Sequence, residues 1–143
     1  MSLESLVPVS EEAFSSMVLH PRQVLGKNIE IHTEQEGFPE LKGCSIALIG
    51  LSEIRNAFFP TASYKLENFR KSFYGLFPGN WNFRICDLGN LPNGATPEDT
   101  YFALKEICIH LRQLNIVSIF IGGSHDLIFP MYQSYQANQQ LVN

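Results

Sequence analysis

The chain has 143 residues, 45% hydrophobic and 17% charged, with ten Lys and Arg against fourteen Asp and Glu for a net charge of −4. That length and apolar share support one domain with a packed core and argue against disorder or low complexity. No basic stripe is present to neutralise phosphates, so nucleic-acid binding lacks electrostatic support. The longest apolar runs, residues 46–51 and 116–121, fall far below the roughly 20 residues of a membrane span.

Residues 1–43 read as an N-terminal lead-in with one short helix. Residues 1–8 lack the basic segment and apolar run of a secretory signal. Ser10-Glu11-Glu12-Ala13 opens the helix, with acids in the first turn where the helix dipole favours them. Phe14, Met17 and Val18 share a face, and His20-Pro21 ends it. Residues 26–42 are polar, broken by Gly37 and Pro39, and read as irregular; His20 and His32 are expected to be solvated.

Residues 45–51 form a continuous apolar run, expected to be a strand buried on both faces as in a parallel sheet. A loop over 52–60 follows, carrying Asn56, Phe58, Phe59 and Pro60. Ala62, Leu66, Phe69, Phe73 and Leu76 then recur at helical spacing on one face, and Pro78-Gly79 ends the helix. A second strand is predicted near 82–88, with Phe83 and Ile85, and Trp81 before it, on one side. Gly89, Asn90, Pro92, Asn93 and Gly94 make a loop. Thr96-Pro97-Glu98-Asp99 is a helix start with a capping hydroxyl, a first-position Pro and an acid at the third. Tyr101, Leu104, Cys108, Leu111 and Leu114 supply its apolar stripe, His110 lies off the stripe on the surface, and Asn115 stops the helix. A third strand near 116–121 runs into Gly122-Gly123-Ser124-His125-Asp126. A last helix begins near Phe129 or Pro130 and fades into a Gln/Asn-rich tail.

The order βαβαβα predicts an α/β fold with parallel strands joined by right-handed crossovers. Cys44, Cys86 and Cys108 are odd in number, far apart and set in apolar stretches. They match no metal spacing or disulfide framework and read as buried thiols of a soluble, cytoplasmic protein.

Ligands of open parallel sheets bind outside the carboxyl ends of the strands. Three loops qualify: 52–60, 89–95 and 122–126. The third is chemically the richest, since Gly122 and Gly123 allow a sharp turn and close approach. His125 is a candidate metal ligand or acid/base there; the plainer alternative is a tight turn in which Ser124 or Asp126 caps the next helix. Asp87 and Asp126 are the remaining candidate ligands. The Gly-Gly pair could also cradle a phosphate, but it lacks the glycine-rich or Lys-Ser/Thr elements that make such a site specific. Phe58, Phe59 and Phe77 are candidate pocket aromatics.

The run Gly122-Gly123-Ser124-His125-Asp126-Leu127, following strands near 46–51 and 83–88, resembles the ureohydrolase superfamily of arginase, agmatinase and formimidoylglutamase. Ser124 and Asp126 make it most similar to the formimidoylglutamase-like branch. Phe69-Arg70 matches a hydrophobic-Arg pair in the family's first helix, and Asp87-Leu88-Gly89-Asn90 its turn after the second strand. The likeness covers roughly residues 44–132. It implies a three-layer α/β/α arginase-like fold, of which residues 44–143 would be the N-terminal part. It also implies a binuclear manganese centre whose bridging hydroxide attacks a guanidino or formimino carbon. On that likeness His125 is a metal ligand, and Gly122, Gly123, Ser124, Asp126 and Asn56 line the site.

Lys65-Leu66 departs from the family's Gly-Pro, the loop over 52–60 lacks its common glycine-rich sequence, and its Asp-Ala-His-x-Asp and Asp-x-Asp blocks do not occur in these residues. The chain is therefore expected to be part of a longer or truncated enzyme, inactive alone and prone to form homo-oligomers. Three readings stand: a metal-dependent hydrolase of C–N bonds in a small amidine or guanidino substrate, a non-catalytic ureohydrolase-like binding or assembly module, and an unrelated nucleotide-binding domain.

Overall fold

The computed structural model describes residues 3–59 and 65–137. Among them, four strands form one sheet: β1 (Glu30–Ile31), β2 (Cys44–Leu51), β3 (Arg84–Leu91) and β4 (Val117–Gly122). The spatial order is β1-β3-β2-β4, and every pairing is parallel. Four α-helices accompany them: α1 (Glu11–Val18), α2 (Leu66–Tyr74), α3 (Pro97–Gln113) and α4 (Ile128–Ala137).

The layering follows from strand alternation. Ala47, Ile49, Leu51, Cys86 and Leu88 pack with Leu104, Ile107, Cys108 and Leu111 of α3 in the main core, and α4 lies against α3. The intervening Asp87 faces the other way, onto Arg70 and Tyr74 of α2. On that side α1 packs on α2, and Val9, Ala13, Ile31 and Tyr74 close a second cluster. The α/β class expected from the sequence is present, and helices on both faces of the parallel sheet are compatible with three layers. All three cysteines are buried and free, and no helix among the described residues is long and apolar enough to cross a membrane.

Several details correct the sequence reading. The lead-in is not wholly irregular, because Glu30 and Ile31 pair with Cys86 and Asp87, and Val7 bridges Asn90. The second strand is shifted: Trp81 and Phe83 lie before it and are exposed, while Gly89 and Asn90, expected in a loop, are inside it. Gly89 allows this with φ of +90°; a Cβ there would come within 2.0 Å of the Val7 carbonyl oxygen. His32 is buried rather than solvated. Its Nδ1 lies 3.0 Å from the Leu88 carbonyl oxygen, and its ring meets Phe38 edge-on.

The helix α2 is rotated from its expected face. Ala62 lies outside the described residues, and Phe69 and Leu76 are exposed. The buried residues are Leu66, Arg70 and Tyr74, at i, i+4 and i+8. An apolar count misses this face because its centre is a charge. Arg70 Nε and Nη2 donate to Asp87 at 2.8 and 2.9 Å, and Nη1 donates to Asn90 Oδ1 at 2.7 Å. The Tyr74 hydroxyl donates to Asp87 at 2.7 Å, and burial together with that carboxylate pushes the phenol well above its ordinary value.

The helix α3 starts as read. Thr96 accepts from the Asp99 N–H, and the Asp99 side chain accepts from the Thr96 N–H, a complete capping box with Pro97 at the first position. Asn115 ends it in the left-handed region at φ 57°, leaving Leu114 exposed rather than in the stripe. The sheet's β4 has β2 as its one neighbour among the described residues. Phe120 packs on the core, while Val117 and Ile119 on the opposite side remain 61% and 42% exposed. On α4, Met131 packs on the same core as Phe120, and Phe129, Tyr132 and Tyr135 are exposed.

Candidate functional site at the carboxyl rim

All three predicted loops leave the carboxyl ends of β2, β3 and β4, and they are bonded to one another there. The loop after β4 opens with Gly122 at φ 89° and Gly123 at φ 77°, a left-handed pair that side chains disfavour. A Cβ on Gly123 would also lie 2.3 Å from Leu127 Cδ1. The turn brings Ser124 under the loop after β2: its N–H donates to the Glu53 carbonyl at 2.9 Å and its hydroxyl to the same oxygen at 3.2 Å. A short 3-10 turn, His125–Leu127, then leads into α4.

His125 is exposed at the end of β4, where the sequence placed it. Asp126 turns toward α3. Its Oδ2 accepts from the Tyr101 hydroxyl and, at 3.1 Å, from Asn56 Nδ2, which also lies 2.7 Å from the Tyr101 oxygen. Its Oδ1 is closed off from solvent and has no hydrogen-bond partner among the described residues. The Ser124 hydroxyl faces the carboxylate as well. Burial works to raise the Asp126 pKa; the Ser124, Tyr101 and Asn56 side chains outweigh it and hold the carboxyl below its ordinary value. In return, Asp126 raises the Tyr101 phenol.

A second carboxylate, which sequence reasoning passed over, ties the rim together. Glu53 is 1% exposed. It is ion-paired with Arg55 and accepts the Thr100 hydroxyl at 3.0 Å. Arg55 extends the network to the Gly94 and Ala95 carbonyls at 3.0 and 2.9 Å. The Arg55 hydrogen bonds hold Glu53 at about 2, well below its ordinary range, despite the opposing effect of burial. One signal was present in the sequence, an acid just past a strand end with an Arg two residues on, but the distant partner Thr100 was not visible.

The structure brings Gly122, Gly123, Ser124, His125, Asp126 and Asn56 to one rim. It does not bring Asp87 there as a free ligand. That residue is fully buried and occupied by Arg70, Tyr74 and the Gly89 N–H. The aromatics Phe58, Phe59 and Phe77 are 92%, 70% and 83% exposed rather than folded over the rim. A hollow of about 180 Å³ lies beside it, with Ser52, Ile54, Lys65 and Asn90 in its wall.

The rim offers an exposed imidazole and an ionised carboxylate on neighbouring residues. The donor types suit a divalent cation, but among the described residues no group of three His, Cys, Asp or Glu side chains gathers to hold one. Comparison of the chain with protein-family models, with curated proteins and with solved structures finds no match.

Proposed function

We propose that this chain is the N-terminal portion of a ureohydrolase-like, metal-dependent hydrolase of C–N bonds in linear amidines, with a guanidino or formimino substrate. The observation that carries the reading is an exposed His125 at the carboxyl end of a parallel strand, reached through the left-handed pair Gly122-Gly123. An arginase-like arrangement of the three layers belongs to the same proposal, as do manganese, a cytoplasmic setting and a homo-oligomer. Divalent ions, when bound, supply an activated water and Lewis-acid polarisation of the substrate. The part of this chain is to present the His125 imidazole; the further ligands must come from groups outside those described. A non-catalytic ureohydrolase-like binding or assembly module is the second reading, favoured by the lack of a three-ligand group among the described residues.

Manganese binding by the full-length protein tests both. Calorimetric titration is expected to show binding that His125→Ala abolishes. Equal affinity in the variant sinks the hydrolase reading, and no binding by the parent protein leaves the non-catalytic one.

A further inference from the structure

We infer that the groove between α1 and the turn over 33–37 is a docking site for a short segment of a partner protein in which basic and apolar side chains alternate. The groove shares no residue with the carboxyl rim, so docking there depends neither on His125 nor on an ion. Two hollows, of about 390 and 280 Å³, meet along α1 and have Phe14, Thr33 and Gln35 in common, which makes them one groove. Its floor is apolar. Phe14, Met17 and Ile29 are partly buried there against the cluster that holds Ile31, and Val18 at the end of α1 is 60% exposed. The opposite wall is held by its own bonds. The Gly37 N–H donates to the Thr33 carbonyl at 2.9 Å, the Glu36 N–H donates to the Thr33 hydroxyl at 3.0 Å, and Gly37 turns the chain at φ 77°.

The charges around this floor are one-sided. Glu11 on α1 and Glu34 and Glu36 on the turn line the groove, and none of them is ion-paired among the described residues. Their neighbours differ: Glu12 is paired with Lys71, and Glu30 with Arg84. Acids on the flanking faces therefore meet a cation of the chain, while those on the groove do not. The cation on its wall, Lys27, donates to the His20 carbonyl at 2.7 Å. A negative rim over an open apolar floor is complementary to a segment that brings positive charge and apolar side chains together. The eight residues of α1 span about 12 Å, the reach of about four residues of extended chain. Side chains of such a chain point alternately to opposite sides, which sets basic groups at the rim and apolar ones on the floor.

The test is calorimetric titration of the full-length protein, at low salt, with the acetylated and amidated peptide Leu-Arg-Leu-Arg-Leu. One peptide is expected to bind per chain. Removing the three charges together, as Glu11→Gln, Glu34→Gln and Glu36→Gln, is expected to weaken binding about tenfold. Val18→Lys, which sets a like charge at the end of the floor, is expected to weaken it by a similar factor. All four side chains are exposed, so both variants are expected to fold, which circular dichroism checks. Raising the salt to about 0.5 M should also weaken binding by the parent protein, a readout that needs no variant. No binding of the basic peptide, or equally tight binding of Leu-Glu-Leu-Glu-Leu, overturns the inference. Parental affinity in both variants overturns it as well, since the peptide then sits elsewhere on the chain. Equal binding of Gly-Arg-Gly-Arg-Gly points to a site for small cations instead. Loss of self-association on sedimentation of Val18→Lys points to a second copy of the chain as the occupant, and either result removes the proposed partner.

Discussion

Replacing Arg70 by Met would leave the Asp87 carboxylate in the interior without its counter-ion. The pair is sealed, with Arg70 2% and Asp87 0% exposed. Its geometry is two-pronged, at 2.8 and 2.9 Å. The same guanidinium also serves Asn90 Oδ1 and the Gly89 carbonyl, at 2.7 and 3.0 Å. Breaking a buried pair by removing one partner costs about 3–5 kcal/mol, chiefly because the remaining charge is uncompensated. Tyr74 and the Gly89 N–H still donate to Asp87, which favours the lower part of that range, about 3 kcal/mol. With a urea slope of about 2 kcal/mol/M, the midpoint of unfolding should fall by about 1.5 M. Removing both charges, as Arg70→Met with Asp87→Leu, leaves no orphaned ion and should recover at least half of the loss. Urea unfolding followed by circular dichroism measures both. A loss under 1 kcal/mol in the single variant, or a double variant less stable than the single, would refute the reasoning.

Acid should loosen the rim before the rest of the sheet. Glu53 sits at about 2, against an ordinary value of 4.5, so its contribution is fully present above about 4.5 and disappears as pH falls toward 2. That contribution is on the order of 3 kcal/mol, and Glu53→Gln should flatten the pH dependence of stability in this window; an unaltered profile would show that the network does not act as drawn. The open side of β4 should drive association of the chain, since a strand edge unpaired among the described residues, beside exposed Val117 and Ile119, invites pairing. Sedimentation should show association weakened by Ile119→Lys, and a monomer across the concentration range would contradict it.

The three long parallel strands, the capped start of α3 and the rim position of the Gly-Gly-Ser-His-Asp turn were legible because each rests on local chemistry: apolar runs, a capping hydroxyl, glycines where φ is positive. The misreadings share a different cause. The buried face of α2 was read through Phe69 and Phe73 and not through Arg70, because no periodic pattern announces that the carboxylate partner of Arg70 lies seventeen positions away on a strand. His32 was misjudged for the same reason: its partner, the Leu88 carbonyl, belongs to a strand whose neighbour was itself hidden in a two-residue segment, Glu30–Ile31. Glu53 shows the limit most clearly. Its side chain and its carbonyl serve different parts of the rim, Arg55 and Thr100 through one and Ser124 through the other, and such pairings across the chain exist only once the sheet has formed.

The bridge between Val7 and Asn90, together with the Val9 N–H on the His32 carbonyl and the His32 N–H on the Asp87 carbonyl, makes the opening segment the outermost course of the sheet. A recombinant piece begun at residue 44 would strip that course away. Water would then reach the flank of the very strand that buries Asp87, and the loss would register as poor yield or precipitation rather than as an altered rim. Dissection of this protein into smaller units should therefore start from its first residues inward, keeping them in place.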